Sequence, residues 1–272
     1  MKAIEGANSV VASSLFDNSL VARWLKFSAV SEKTVATYTL ATLQMFKYFA
    51  ANDITRPARE DLENWRDDLI ASDKSPATVQ LYLTSCKLFF RFLAMDNLYP
   101  NVADHLKSRC KVNHEHKKDA LTAVQFAKLL KFVKGNSLKP LRDRAILALM
   151  LTAGLLTIEV ERADVQDIYH FNCVCFLRVK GKGRTSKSES VRIAPQVENL
   201  IKVYLKARGA VADDLPLFTS CARRNFGSRI STQTIRKMVK ANLRGIGLDS
   251  PRLSAHSLRH SAALQMLLNG AY

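Results

Sequence analysis

No run of apolar residues in this 272-residue sequence approaches the roughly 20 needed to span a membrane. The first residues, Met1 to Ser14, lack the basic start and continuous apolar stretch of a secretory signal. A soluble protein of the cytoplasm is the expectation. Cysteine is scarce: Cys86, Cys110, Cys173, Cys175 and Cys221 are five in number and widely scattered, which argues against a disulfide framework and for a reducing compartment. Cys110, His114 and His116 match no zinc spacing with a second ligand pair, so no metal is expected. There is no GxxxxGK[ST] opening a helix, which excludes a P-loop, and no internal repeat or low-complexity tract. Acidic residues are the remaining shortage: 24 stand against 41 Lys and Arg, a net charge of +17.

That shortage is uneven. Residues 1–106 carry 11 basic and 12 acidic side chains, a balance of −1, whereas residues 107–272 carry 30 and 12, a balance of +18. A polyanionic partner for the second half follows, because neutralising phosphates releases their counterions. Charge alone does not separate DNA from RNA or a membrane surface. At 47% apolar residues the chain has enough material for packed cores.

The first half reads as helical. Ser31 caps a segment with Val35, Tyr38, Met45, Phe46 and Phe49 on one face. Pro57 opens a second, with Leu62, Trp65 and Leu69 at steps of three and four. Ser75-Pro76 starts a third, whose stripe runs from Val79 through Tyr82, Cys86 and Phe89 to Leu93. The expected unit is an all-helical bundle over residues 15–105, its aromatics forming core and not a base-stacking platform. Residues 106–120 read as a basic linker. A second domain over 121–272 opens with the capping box Thr122-x-x-Gln125. A helix near Leu141–Ala153 stops at Gly154. Strands are expected at Val174–Val179 and Ser190–Ala194, followed by helices around Val197–Leu205, Ile235–Leu243 and His256–Gly270.

Two constellations carry chemistry. The turn between the strands holds Arg178, Lys180, Lys182, Arg184, Lys187 and Arg192, with Gly181 and Gly183 among them. Glycine lets a backbone approach phosphate closely, and lysine supplies a point charge or a proton. Near the end stands His256-Ser257-Leu258-Arg259-His260. At a helix start, residues i and i+3 share a face, so His256 and Arg259 converge. Arginine grips two phosphate oxygens in a fork, and imidazole donates or moves a proton.

In order and spacing these elements resemble the tyrosine recombinases, or phage integrases, over about residues 15–271. Arg142-Asp143-Arg144-Ala145, Thr152-Ala153-Gly154-Leu155-Leu156, Glu159, Gly181-Lys182-Gly183 and Ala255-His256-Ser257-Leu258-Arg259-His260 carry the resemblance. It implies a mainly α fold: an N-terminal helical, SAM-like core-binding bundle and an α+β catalytic domain with a small antiparallel β-sheet. It also implies site-specific strand exchange on double-stranded DNA through a 3′-phosphotyrosine, by a tetramer on two sites, with no cofactor, metal or ATP and no membrane partner. Under it Lys182 is the general acid to the leaving 5′-oxygen, Arg259 a phosphate clamp and His256 a proton handler. Glu159 and His260 are supports. Lys180, Arg184, Lys187, Arg223, Arg224, Arg236, Lys237 and Arg244 are candidate DNA-backbone contacts.

Two departures accompany the resemblance. Leu156 occupies the position of the first catalytic arginine, and leucine supplies neither charge nor donor to a phosphorane. Arg162, almost two turns on, is a poor substitute. The family's nucleophilic tyrosine has no counterpart, Tyr272 standing too close to the histidine box, so a C-terminally truncated chain is expected. The expected function is DNA binding without cleavage. The alternatives are a binding-only occupant or regulator of recombination sites, and DNA relaxation of the type IB topoisomerase kind.

Overall fold

Local side-chain caps start the long helices where the sequence places them. In this computed structural model, which describes residues 18–108, 119–181, 183, 184, 186–209, 212–268 and 270, helix α1 covers Asn18–Phe27 and α2 covers Glu32–Ala51. The Ser31 hydroxyl accepts the Thr34 N–H at the start of α2. Helix α3 spans Arg59–Ala71. Pro57 lies two residues outside it, and the Asp61 carboxylate closes its first turn by accepting the Ala58 N–H at 2.7 Å. Helix α4, Pro76–Met95, begins with Pro76 in its first turn and the Ser75 hydroxyl accepting from Thr78.

The chain divides into two compact units, residues 1–114 and 115–272. In the first, α1 to α4 enclose Trp24, Trp65, Leu62, Phe89 and Phe90, all 1% exposed or less. Trp24 meets Phe89 edge-on with ring centroids 5.3 Å apart, so these aromatics are core. Leu106, placed at the start of the expected linker, belongs to this core. The middle of that linker, with Cys110, His114 and His116, lies outside the described residues.

The second unit opens with the expected capping box: Gln125 Oε1 accepts the Thr122 N–H at 2.9 Å, and Thr122 Oγ1 accepts the Gln125 N–H at 3.3 Å. Helix α5 (Ala123–Phe132) follows, then α6 (Leu138–Ala153) and the short α7 (Thr157–Arg162). A three-stranded antiparallel sheet comes next, ordered β1 (Ile168–Phe171), β2 (Val174–Val179), β3 (Glu189–Ile193). Sequence reading gave two of these strands; β1 is additional, and β3 starts and ends one residue earlier. Helices α8 (Pro195–Arg208), α9 (Thr232–Gly245) and α10 (Ala255–Leu268) complete the unit. Ala145 to Met150 of α6 are all within 1% of complete burial, which makes this helix the centre of the second core. No helix among the described residues is long and apolar enough to cross a membrane.

Candidate phosphate site and nucleic-acid interface

The site begins where α6 ends. Gly154 takes the left-handed conformation, φ 65° and ψ 26°, and turns the chain. A Cβ on Gly154 would stand 3.5 Å from that of Ala262 in α10. Two residues on, Leu156 is the N-cap of α7. Leucine offers no acceptor to the first turn, so the usual reciprocal cap is only half made. The made half is the Leu156 N–H, which donates to Glu159 Oε2 at 2.7 Å. Glu159 is buried, its side chain 9% exposed.

Arg259 reaches the same turn from α10. Its Nη1 donates to the Gly154 carbonyl at 2.9 Å and lies 3.8 Å from Glu159 Oε2. The Arg259 side chain is still 47% exposed. His256 precedes Arg259 on α10 and is also exposed. Its ring stands edge-on to His260, centroids 4.9 Å apart at 89°. A Cβ on Gly181, two residues beyond β2, would lie 3.8 Å from Glu159 Oε1. The loop toward Lys182 therefore leaves from beside the Glu159 carboxylate. Lys182 itself lies outside the described residues.

Sequence reading missed the clasp that holds this loop. Arg162, one turn after Glu159 on α7, donates from Nη1 to the carbonyls of Gly181 at 3.0 Å and Lys180 at 3.4 Å. The i, i+3 spacing of Glu159 and Arg162 was a signal that both face one partner. Lys187 closes the other side of the loop on Asp164, at 2.6 Å, and on Asp167. Arg229 joins them, donating to Asp164 Oδ1 at 2.6 Å and to the Glu161 carbonyl at 2.9 Å. Burial pushes the Asp164 carboxyl up, but hydrogen bonds from Lys187 and Arg229 outweigh it and leave it below its usual range. Burial likewise pulls the Lys187 ammonium down, and its hydrogen bonds to Asp164 and Asp167 reverse this and raise it. No sequence spacing pointed to Arg229.

The eight basic residues singled out by sequence fall into two groups. Arg184, Lys187 and Arg244 are engaged within the chain, Arg184 with Glu189 at 2.7 Å and Arg244 with Asp249 at 3.0 Å. Lys180, Arg223, Arg224, Arg236 and Lys237 make no ion pair among the described residues. Arg223 and Arg224 occupy a single 3-10 turn, and Arg236 and Lys237 are exposed on α9. Arg224 and Lys237 share a cavity of about 270 Å³ with Lys139, Arg142 and Cys221. Arg142 is buried there against Asp143, at 2.6 Å, leaving Lys139, Arg224 and Lys237 as its cationic rim.

Residues 119–271 match the model of the Phage integrase family, and residues 23–97 match that of the Phage integrase, N-terminal SAM-like domain. Tyrosine recombinase XerD of Yersinia pestis is 27% identical over 265 residues, covering 94% of this chain and 85% of that protein. Tyrosine recombinase XerC of Thermodesulfovibrio yellowstonii is 27% identical over 74% of this chain and 66% of its own length. The tyrosine recombinase Synpcc7942_B2651 of Synechococcus elongatus is 31% identical over 52% of this chain, but only 43% of its own length is spanned. The fold is shared with the XerH site-specific recombinase bound to palindromic difH substrate, at a TM-score of 0.70 and 21% identity over 86% of this chain and 69% of that one. It is shared also with a lambda integrase(75-356) dimer bound to a COC′ core site, at 0.67 and 13% over 91% and 88%.

Proposed function

The chain belongs to the phage integrase family, the tyrosine recombinases, and on that premise we propose that it binds double-stranded DNA and does not cleave it as it stands. One observation carries the reading. The turn that Arg259 grips presents Leu156, an apolar side chain, beside Glu159 and the start of the Lys182 loop.

The residues divide the work as follows. Arg259 supplies one guanidinium fork to the non-bridging oxygens of a phosphate. His256, exposed on the same helix face, donates a further hydrogen bond or relays a proton. Lys182 stands by sequence at the position of the general acid to a leaving 5′-oxygen. Leu156 adds no second clamp, and loss of one such donor costs on the order of 10²-fold or more in rate. Arg162 does not replace it, because it stands six residues further on, almost two helical turns, where it donates to the Lys180 and Gly181 carbonyls. Lys180, Arg223, Arg224, Arg236 and Lys237 are the cations that reach the DNA backbone, and such contacts position a protein without reading sequence. The same set suits a protein that occupies or regulates recombination sites.

The test uses a duplex carrying a nick beside the scissile position. Binding should weaken steeply with salt, and no covalent adduct should survive a denaturing gel. A covalent band overturns the loss of cleavage, and a flat salt response overturns the DNA reading.

A further inference from the structure

The β1–β2 pair and the start of α8 bring together three side chains of different donor type, none of them part of the phosphate site. His170 on β1 and Cys175 on β2 are register partners across the antiparallel pair. Glu198 lies in the first turn of α8. His170 Nε2 is 3.0 Å from Glu198 Oε1, and one ligand atom of each of the three residues lies within 4.8 Å of the others. Donors tetrahedrally arranged around zinc at bond lengths of 2.0 to 2.3 Å stand about 3.3–3.8 Å apart. Closing the set therefore needs the ligand atoms to approach one another by about an ångström.

From this juxtaposition we propose that His170, Cys175 and Glu198 form a binding site for a single borderline divalent metal ion of the zinc class. Imidazole nitrogen, thiolate sulfur and carboxylate oxygen are the donors such an ion takes, and the mixture disfavours magnesium or calcium, which prefer oxygen alone. Two ligands are fixed by the fold: Cys175 is 3% exposed within the core, and the Glu198 side chain is 16% exposed on a helix start. The third, His170, is 52% exposed and gives the ion its route from solvent. Three protein ligands leave a fourth position for water. A bound ion would join β1, β2 and α8. The proposal shares no residue with the phosphate site and does not depend on DNA binding.

The proton of the Cys175 thiol, which burial and the neighbouring Glu198 push up to about 11, is one competitor, and Lys202 is the other. Its ammonium sits 2.5 Å from Glu198 Oε1, one helical turn along α8, with 66% of the side chain exposed. A surface ion pair of this kind is weak, and an arriving dication displaces it. Removing the lysine should therefore strengthen metal binding, an outcome that a purely structural hydrogen-bonded cluster does not produce.

Cobalt(II) is the probe, titrated into the full chain under reducing conditions and followed by absorption. We expect a thiolate-to-cobalt charge-transfer band with tetrahedral d–d bands, saturating at one equivalent and abolished by added zinc. Cys175→Ser should remove the charge-transfer band. His170→Gln, at an exposed residue, and Glu198→Gln, at a partly buried one, should each weaken binding tenfold or more. Lys202→Gln should tighten it several-fold, and Cys110→Ser should leave it unchanged. Absence of the band overturns the site. So does a band that survives His170→Gln and Glu198→Gln, or one that disappears with Cys110→Ser.

Discussion

Arg259 Nη1 and the carbonyl oxygen of Gly154 lie 2.9 Å apart, joined across 105 residues of sequence. The bond fixes α10 to the left-handed turn at the end of α6, and Leu156 follows that turn by two residues. The buried Glu159 carboxylate stands between them, accepting from Leu156 and facing Arg259.

Glu159 should matter to folding more through its hydrogen bond than through its charge. Arg259 is half exposed, so its ion pair at 3.8 Å is worth little. Glu159→Ala leaves the part-buried Leu156 N–H without its acceptor and should cost about 1–3 kcal/mol in urea unfolding. Glu159→Gln keeps an acceptor oxygen and should cost less. Equal losses in the two variants would show that charge, not capping, governs the turn.

Leu156→Arg should be tolerated by the fold and should strengthen DNA binding. Neither leucine nor arginine is a good N-cap, so the start of α7 changes little. An added guanidinium at the site should raise duplex affinity by about tenfold at low salt and steepen the log–log salt slope by about 0.9. Unchanged affinity and slope, measured by fluorescence anisotropy, would place Leu156 away from the phosphate.

Arg236→Ala and Lys237→Ala should each weaken binding to any duplex and shallow the salt slope by about 0.9 per residue. Lys187→Ala should behave differently. Its ammonium is occupied by Asp164 and Asp167, so its loss should lower unfolding stability with little change in slope.

The Asp164 cluster gives a pH signature. Its carboxyl is lowered on folding, so its stabilisation is present above the unfolded pKa of about 4 and is lost as pH falls through the folded value. Lys187 is raised, so its share is present below an unfolded pKa of about 10 and is lost as pH rises through the folded value. Asp164→Asn should therefore cost about 2 kcal/mol, from its charged hydrogen bonds, across roughly pH 5–9. The gap from the parent chain should shrink toward pH 2. A gap that persists in acid would assign the loss to packing.

Arg162→Ala frees the Lys180 and Gly181 carbonyls from their donor. Hydrogen exchange should speed up at the end of β2 and the start of β3 while the helical core of α6 stays protected. Uniform loss of protection throughout the second unit would mean that Arg162 supports the whole domain.

What the sequence settled was everything carried by bonds a few residues long. Ser31, Ser75 and the Thr122–Gln125 box reach only three residues along the chain, so their helix starts were readable without any fold. Gly154 announced its turn because a left-handed residue favours glycine. His256 and Arg259 share a helix face by spacing alone, and the charge difference between the halves is a sum over residue types. Strand β1 was not readable: four residues after a 3-10 turn give no alternation long enough to register, and β1 exists because β2 pairs with it. The tertiary structure alone decided which cations are engaged. Lys187 finds Asp164 and Asp167 at separations of 23 and 20 residues, and Arg229 finds Asp164 at 65. It also brought Arg259 to the turn before Leu156, and set His170 opposite Cys175 beside Glu198. Hydrogen bonds and ion pairs act over a few ångströms of space, and only packing of distant segments makes that space short.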